Sequence, residues 1–215
     1  NEAHTLDTQL NVFETFKPQL PDHYRQTEYV FMANIDPDIQ REALSQVDAP
    51  ALVACDTMNF WIDGKKEALL RTLELVDLLI INEAEVRQLA QEPNLVKAAA
   101  IVRSYGPKTL VVKRGEYGVL MFGEGSIFSA PAYPLEEVFD PTGAGDTFAG
   151  GFFGYLAATR NHSETNMRKA IIFGTVMASF TVEKFSLERL KLINHKDISD
   201  RFKRIKLLTD FADLD

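Results

Sequence analysis

Residues 77–113 read DLLIINEAEVRQLAQEPNLVKAAAIVRSYGPKTLVVK, and their pattern of apolar residues indicates the class of fold. Two short apolar runs flank two segments in which apolar residues recur at helical spacing, and Gly106-Pro107 ends the second of these segments. Buried strands that alternate with helices are typical of a parallel sheet with helices on both faces. The stretch therefore predicts strands at 77–81 and 110–113 and helices at 83–90 and 94–105.

The same alternation continues towards both ends of the chain. Upstream, apolar runs predict strands at 5–13, 29–34 and 49–55, and helical spacing predicts helices at 37–47 and 64–76. Downstream, strand-like pieces at 117–122, 126–130 and 133–139 predict an antiparallel meander at one edge, followed by helices at 145–159, 164–184 and 195–208. No linker or repeat interrupts the pattern, so we expect a single α/β domain over residues 1–215.

The composition is that of a globular domain and narrows the classes of function. Of 215 residues, 46% are hydrophobic and 25% are charged, and the net charge is −8. A negative field of this kind argues against binding nucleic acid or an anionic membrane. No apolar run reaches the length of a membrane span, and no signal peptide is visible. The single cysteine, Cys55, is expected to be a small core residue, and the chain is expected to be cytoplasmic.

A second informative stretch, FDPTGAGDTFAGG at 139–151, precedes a predicted long helix. Gly143 and Gly145 allow a sharp turn and the close approach of a ligand. The first amide groups of the helix have no partner within it, and together with the helix dipole they suit a phosphate. Asp146, in the first turn, would equally suit a helix that binds no ligand, so the turn alone leaves both interpretations open.

Two other phosphate-binding patterns do not fit this turn. The P-loop requires Gly-Lys-Ser or Gly-Lys-Thr at its end, and neither tripeptide occurs in the chain. The dinucleotide fingerprint requires a buried strand directly before the glycines, and residues 135–140 (LEEVFD) are too polar for one.

The turn Asp140-Pro141-Thr142-Gly143-Ala144-Gly145-Asp146-Thr147-Phe148 resembles the carboxy-terminal signature of the ribokinase-like (PfkB) family of carbohydrate kinases. Two further motifs occur in the order expected for that family. Asn82-x-x-Glu85 directly follows the strand predicted at 77–81. Lys113-Arg114-Gly115-Glu116-Tyr117-Gly118 resembles the family's glycine loop. The resemblance covers residues 28–184 and implies the ribokinase-like fold.

The resemblance implies an ATP-dependent phosphotransferase that acts on a hydroxyl of a sugar or nucleoside. Asp146 would be the base that accepts the proton of the attacking hydroxyl. The amides of Gly143, Ala144 and Gly145 would stabilise the negative charge that grows on the transferring γ-phosphoryl group.

The resemblance also implies ATP and Mg²⁺ as cofactors, together with a monovalent-cation site that suits K⁺. Glu85 would hold Mg²⁺ through water, and Asn82 would assist at the metal or at the phosphates. Asp140 and Thr142 would lie at the monovalent-cation site beside the turn. Without the motif, Glu85 is typical of an ordinary surface residue early in a helix.

The glycine loop would bring Lys113 to the nucleotide phosphates, and Gly115 and Gly118 would let the backbone approach them. Lys113 is also compatible with an ordinary charged strand end. Phe173 and Met177 on a later helix could wall an adenine pocket, but core packing is the preferred interpretation.

The chain departs from the family pattern at its amino-terminal end. The glycine-pair signature for the substrate and the early strands that form the sugar-facing surface and the lid do not occur, and residues 5–13 resemble the tail of such a region. We therefore expect an amino-terminally truncated kinase domain whose acceptor half is largely missing. An uncovered sheet edge would favour self-association, for example as a homodimer.

Three functions from different classes follow from these patterns. The leading hypothesis is a sugar or nucleoside kinase with a small-molecule acceptor. The alternatives are a nucleotide-binding remnant without catalysis and an interaction module that docks a partner through residues 191–208. Packing of that tail on its own domain is the preferred interpretation of the tail.

Overall fold

A six-stranded mixed sheet forms the centre of the computed structural model, which describes residues 9–212. The strands lie side by side in chain order: β1 (Tyr29–Met32), β2 (Leu52–Asp56), β3 (Leu78–Asn82), β4 (Thr109–Lys113), β5 (Val119–Phe122) and β6 (Ile127–Ala130). β1 to β4 are parallel, whereas β4, β5 and β6 pair in antiparallel fashion. The expected α/β class with an antiparallel edge is confirmed.

Eight α-helices surround the sheet within the described part of the chain. They are α1 (Pro37–Leu44), α2 (Asn59–Gly64), α3 (Lys66–Leu73), α4 (Glu83–Ala90), α5 (Leu95–Arg103), α6 (Ala144–Thr159), α7 (Glu164–Thr181) and α8 (His195–Leu208). The helix predicted at 64–76 is shorter than expected, and the short α2 precedes it. No helix within residues 9–212 has the length and apolar character needed to cross a membrane.

Alternate side chains of each parallel strand enter two separate cores. In β3, Leu79 and Ile81 face the core beneath α3, α4 and α5, whereas Leu78 and Ile80 face the core beneath α6 and α7. Because both faces are covered, the parallel strands are apolar except at their ends, as parallel strands in such sheets are.

One predicted strand is wrong, and a second does not form in the part of it that is described. Residues 133–139 form no strand, and the backbone N–H of Phe139 instead donates to the carbonyl oxygen of Val182 at 2.8 Å, which holds the segment against the end of α7. Prolines at 131 and 134 lack the N–H groups that a sheet ladder requires. Of the run at 5–13, residues 5–8 lie outside the described residues, and the rest leads into a single 3₁₀ turn at Asn11–Glu14.

Gly118 connects β4 to β5 and is buried against β6. It has a φ of +86°, and a Cβ atom there would lie 2.1 Å from the carbonyl oxygen of Ala130. The backbone N–H of Arg114 donates to the carbonyl oxygen of Gly118 at 2.8 Å, which closes the turn. Gly118 is therefore required by the packing of the antiparallel edge.

We expect Gly118→Ala to lower the free energy of unfolding by about 2 to 3 kcal/mol, because the methyl group overlaps backbone and the φ is unfavourable for alanine. Urea denaturation monitored by circular dichroism measures the change. Gly150→Ala is the matched control: Gly150 lies within α6 with open space around it. That substitution should raise stability by about 0.5 to 1 kcal/mol. Equal effects of the two substitutions would contradict this role for Gly118.

Candidate functional site

The carboxyl ends of the parallel strands bring an ion pair together at one edge of the sheet. Asp56 ends β2 and Lys113 ends β4, and Lys113 Nζ lies 3.3 Å from Asp56 Oδ2. The Asp56 side chain is only 8% exposed and the Lys113 side chain 20% exposed. Lys113 was predicted from its motif, whereas Asp56 was not. The signal available in the sequence was a carboxylate that ends a wholly apolar strand, Leu52–Asp56.

Asp56 is held on both its side chain and its backbone. Its Oδ1 accepts a hydrogen bond from the N–H of Thr57 at 2.6 Å, and its carbonyl oxygen accepts one from Gln40 Nε2 at 3.0 Å. Burial raises the pKa of the Asp56 carboxyl, whereas Lys113 and the Thr57 N–H oppose that rise. The charge of Asp146 raises the same pKa further, so the two aspartates share one electrostatic environment.

Asn82 and Glu85 form a reciprocal cap at the start of α4. Asn82 Oδ1 accepts from the N–H of Glu85 at 2.8 Å, and Glu85 Oε2 accepts from the N–H of Asn82 at 3.0 Å. The motif therefore has a structural role in addition to any binding role, since a capping box satisfies two helix-terminal donors. Burial raises the pKa of the Glu85 carboxyl, and the charge of Asp56 adds to that rise, while the Asn82 N–H and Lys113 oppose it.

The glycine turn places unpaired amides at the start of α6. Gly143 adopts a left-handed conformation with a φ of +78° and is the N-cap residue. The N–H of Ala144 donates to the carbonyl oxygen of Pro141 at 3.2 Å, so this amide is engaged. Within residues 9–212 the N–H groups of Gly143, Gly145 and Asp146 have no hydrogen-bond acceptor. Three donors thus remain at the positive end of the helix dipole.

Lys113 ends against this same turn. A Cβ atom added to Gly145 would lie 3.3 Å from Lys113 Nζ and 3.9 Å from its Cδ and Cε. The missing side chain at 145 therefore makes room for the lysine. An ammonium group and unpaired amides meet at one place, which suits a phosphate group.

The other predicted site residues lie in the turn before α6, in the first turn of that helix and in the glycine loop. Asp140 Oδ1 accepts from the N–H of Thr142 at 2.9 Å, and this hydrogen bond lowers the pKa of the Asp140 carboxyl. Asp146 is exposed in the first turn of α6. Gly115 is exposed with a φ of +57° and open space around it, whereas Gly118 is buried as described above. Arg114 Nε donates to Glu83 Oε2 at 2.6 Å and ties the glycine loop to α4.

The carboxylates at the site fit Mg²⁺ only as partial ligands. Glu85 Oε2 accepts the hydrogen bond of the cap from the N–H of Asn82. No group of three His, Cys, Asp or Glu side chains in residues 9–212 lies close enough to hold a metal by itself. Mg²⁺ usually keeps several waters and binds through one or two carboxylates plus substrate phosphates, so the residues fit a metal that arrives with a nucleotide.

Apolar residues near the signature are divided between core and surface. The buried face of α6 carries Phe148, Phe152 and Phe153, which belong to the core between this helix and the sheet. Phe173 and Met177 instead line an open apolar groove of about 500 Å³ on the outer side of α6 and α7. Both residues are partly buried: Phe173 lies against Tyr155 of α6, with ring centroids 5.3 Å apart, and Met177 packs against Gly151 of the same helix.

Comparison with known proteins places the chain in a family. A family model described as pfkB family carbohydrate kinase matches residues 15–191, so the chain belongs to this family of carbohydrate kinases. A cytidine kinase of Thermococcus kodakarensis is 32% identical over 141 residues, which are 62% of this chain and 49% of that protein. A ribokinase of Staphylococcus aureus is 32% identical over 117 residues, 52% of this chain and 37% of the relative. The chain thus spans half or less of these relatives.

Solved structures support the fold. The nucleoside kinase of Methanocaldococcus jannaschii superposes with a TM-score of 0.69 at 22% identity, over 90% of this chain and 60% of that one. A fructokinase of Vibrio cholerae, with fructose, ADP and calcium bound, gives a TM-score of 0.70 at 16% identity, over 91% and 64%.

We expect Glu85→Gln to stabilise the chain at pH 7 but not at pH 4. Because its folded-state pKa is raised, Glu85 contributes stability when protonated, and that contribution is lost as the pH rises through the folded pKa. Glutamine keeps the cap and does not titrate. Urea denaturation at the two pH values measures the difference.

The exposed Glu124, in the turn between β5 and β6, supplies the control Glu124→Gln for the loss of one surface carboxylate. A change in stability that is the same at both pH values in Glu85→Gln would contradict the expectation, because the effect would then not depend on the ionisation of Glu85.

Proposed function

We propose that this chain is the nucleotide-binding part of an ATP-dependent kinase that transfers the γ-phosphoryl group to a hydroxyl of a sugar or nucleoside. One observation carries the proposal: the Lys113 ammonium lies close to Gly145, in the turn where the N–H groups of Gly143, Gly145 and Asp146 have no acceptor among residues 9–212. Donors fixed before the reaction stabilise negative charge without reorganisation. Among the donors expected from the motif, Ala144 would take part only by giving up its hydrogen bond to Pro141.

The residues have distinct roles in the proposed transfer. Lys113 binds the phosphates as a point charge, and the amides of Gly143 and Gly145 orient the γ-phosphoryl group. Asp146, exposed beside these donors, accepts the proton of the acceptor hydroxyl as the oxygen attacks phosphorus. Phosphoryl transfer depends mainly on positioning and charge stabilisation, which a rigid helix terminus provides.

Two cation sites accompany the proposal. Glu85 would hold Mg²⁺ through water, and Asn82 orients Glu85 through the cap. A Mg²⁺ ion held there with the nucleotide would neutralise part of the charge of the phosphates. Asp140 and Thr142 would contribute to a K⁺ site beside the turn. Solved relatives include a ribokinase with ATP and Mg²⁺ and a fructokinase with ADP and potassium, which supports cations of both kinds.

The acceptor class rests on the relatives. Proteins similar to this chain are named cytidine kinase, nucleoside kinase, ribokinase and fructokinase, and all act on sugars or nucleosides by those names. Because the chain spans half or less of them, a second candidate is nucleotide binding without turnover. The structure gives less support to the interaction module, since α8 packs on α7 through the buried Ile205 and Arg201 pairs with Glu183 at 2.6 Å.

Isothermal titration calorimetry of the 215-residue chain with MgATP tests the proposal. We expect one binding site, and we expect Lys113→Met to weaken binding by about tenfold, the scale of a charge-assisted hydrogen bond to phosphate. Lys196→Met, at an exposed lysine on α8, is the control. Absence of binding by the unchanged chain would contradict the proposed function.

A separate variant tests the base. We expect Asp146→Asn to lower phosphoryl transfer to a panel of sugars and nucleosides by at least about 10²-fold, because the amide cannot accept the proton. MgATP binding should stay within about threefold, since Asp146 acts on the acceptor. If the unchanged chain binds MgATP but turns over no acceptor, the second candidate is supported. Undiminished transfer in Asp146→Asn would exclude Asp146 as the base.

A further inference from the structure

Asp56 is the buried charged group at the site that lies outside all three motifs. Its carboxylate contacts the Lys113 ammonium at 3.3 Å, and both side chains are largely removed from solvent. Gln40 Nε2 fixes the backbone at this point by donating to the carbonyl oxygens of Met32, Ala33 and Asp56, at 3.2, 2.9 and 3.0 Å. Such anchoring limits the positions that the carboxylate can take.

Lys113 is consequently confined from two sides. Asp56 contacts the ammonium from the end of β2. The first turn of α6 lies on another side, so close that a Cβ atom added to Gly145 would lie 3.9 Å from the Cδ and Cε of the lysine. A lysine side chain otherwise carries considerable rotamer entropy and would follow any nearby anion. The ion pair therefore sets where the positive charge lies before a nucleotide binds.

We propose that Asp56 is a positioning residue that acts through Lys113, holding its ammonium at the first turn of α6 where the transferring phosphoryl group develops charge. This inference rests on the proposed function. The carboxylate also offsets part of the attraction of Lys113 for the phosphates of a bound nucleotide. Asp56 therefore weakens ground-state binding while it favours the transition state, and such differential binding is what raises turnover.

The substitution Asp56→Asn separates these two effects. We expect it to tighten MgATP binding about fivefold, because one partly screened negative charge is removed. We expect the turnover number to fall at least about tenfold, because Lys113 is then free to follow the phosphates in the ground state. A merely structural role would weaken binding and turnover together. Asp200→Asn, in an exposed pair on α8, changes the net charge equally and should change neither quantity.

A double-mutant cycle tests whether Asp56 acts through Lys113. In the Lys113→Met background, Asp56→Asn should alter the dissociation constant of MgATP, measured by calorimetry, by less than about twofold. Asp56→Glu keeps the charge but displaces it by one methylene, so affinity should stay near that of the unchanged chain while turnover still falls. An equal effect of Asp56→Asn in both backgrounds would overturn the proposal.

Chemical labelling gives a result that needs no nucleotide. We expect acetylation of Lys113 by acetic anhydride, quantified by mass spectrometry relative to Lys108 in the same chain, to be at least about threefold faster in Asp56→Asn. Lys108 is 83% exposed and serves as the internal standard. Unchanged labelling would overturn the proposal, and so would unchanged binding in Asp56→Asn when the unchanged chain binds MgATP. Absence of binding by the unchanged chain would instead contradict the proposed function on which the inference rests.

Discussion

In a parallel sheet every strand ends at the same edge, and the candidate site of this protein depends on that constraint. Asp56, Asn82 and Lys113 end β2, β3 and β4, so residues up to 57 positions apart become neighbours. The connection from β6 then returns the chain so that α6 begins at this edge, where a Cβ atom added to Gly145 would lie 3.3 Å from Lys113 Nζ. Ligands of open α/β sheets bind outside the carboxyl ends of the strands for this reason.

The site brings together buried carboxylates whose ionisation is unfavourable in the folded chain. Burial raises the pKa of both Asp56 and Glu85, which means that their ionised forms are less stable here than in water. Lys113 opposes both shifts and is the common counter-charge. A cluster of buried charged groups lowers the free energy of unfolding, and a bound cation or charged ligand would offset that cost. Such clusters are typical of functional sites.

Local patterns in the sequence were sufficient for the elements with their own start signals. α4 and α8 lie at the predicted residues because Asn82 and Asn194 each open a capping box. The strand predicted at 133–139 does not form, because Pro134 lacks the N–H group that a sheet ladder requires and the N–H of Phe139 donates to the carbonyl oxygen of Val182 instead. Asp56 could not be recognised locally, because its significance comes from Lys113, a partner on a strand that is not adjacent in the sheet.

The cap at the start of α4 affects how substitutions at Glu85 are interpreted. The same carboxylate that is suited to a hydrated cation also secures a helix through Asn82. A survey of random substitutions at 85 would therefore report intolerance even in a host that never requires the chemistry. Only glutamine at this position, which keeps the cap but carries no charge, distinguishes selection for folding from selection for catalysis.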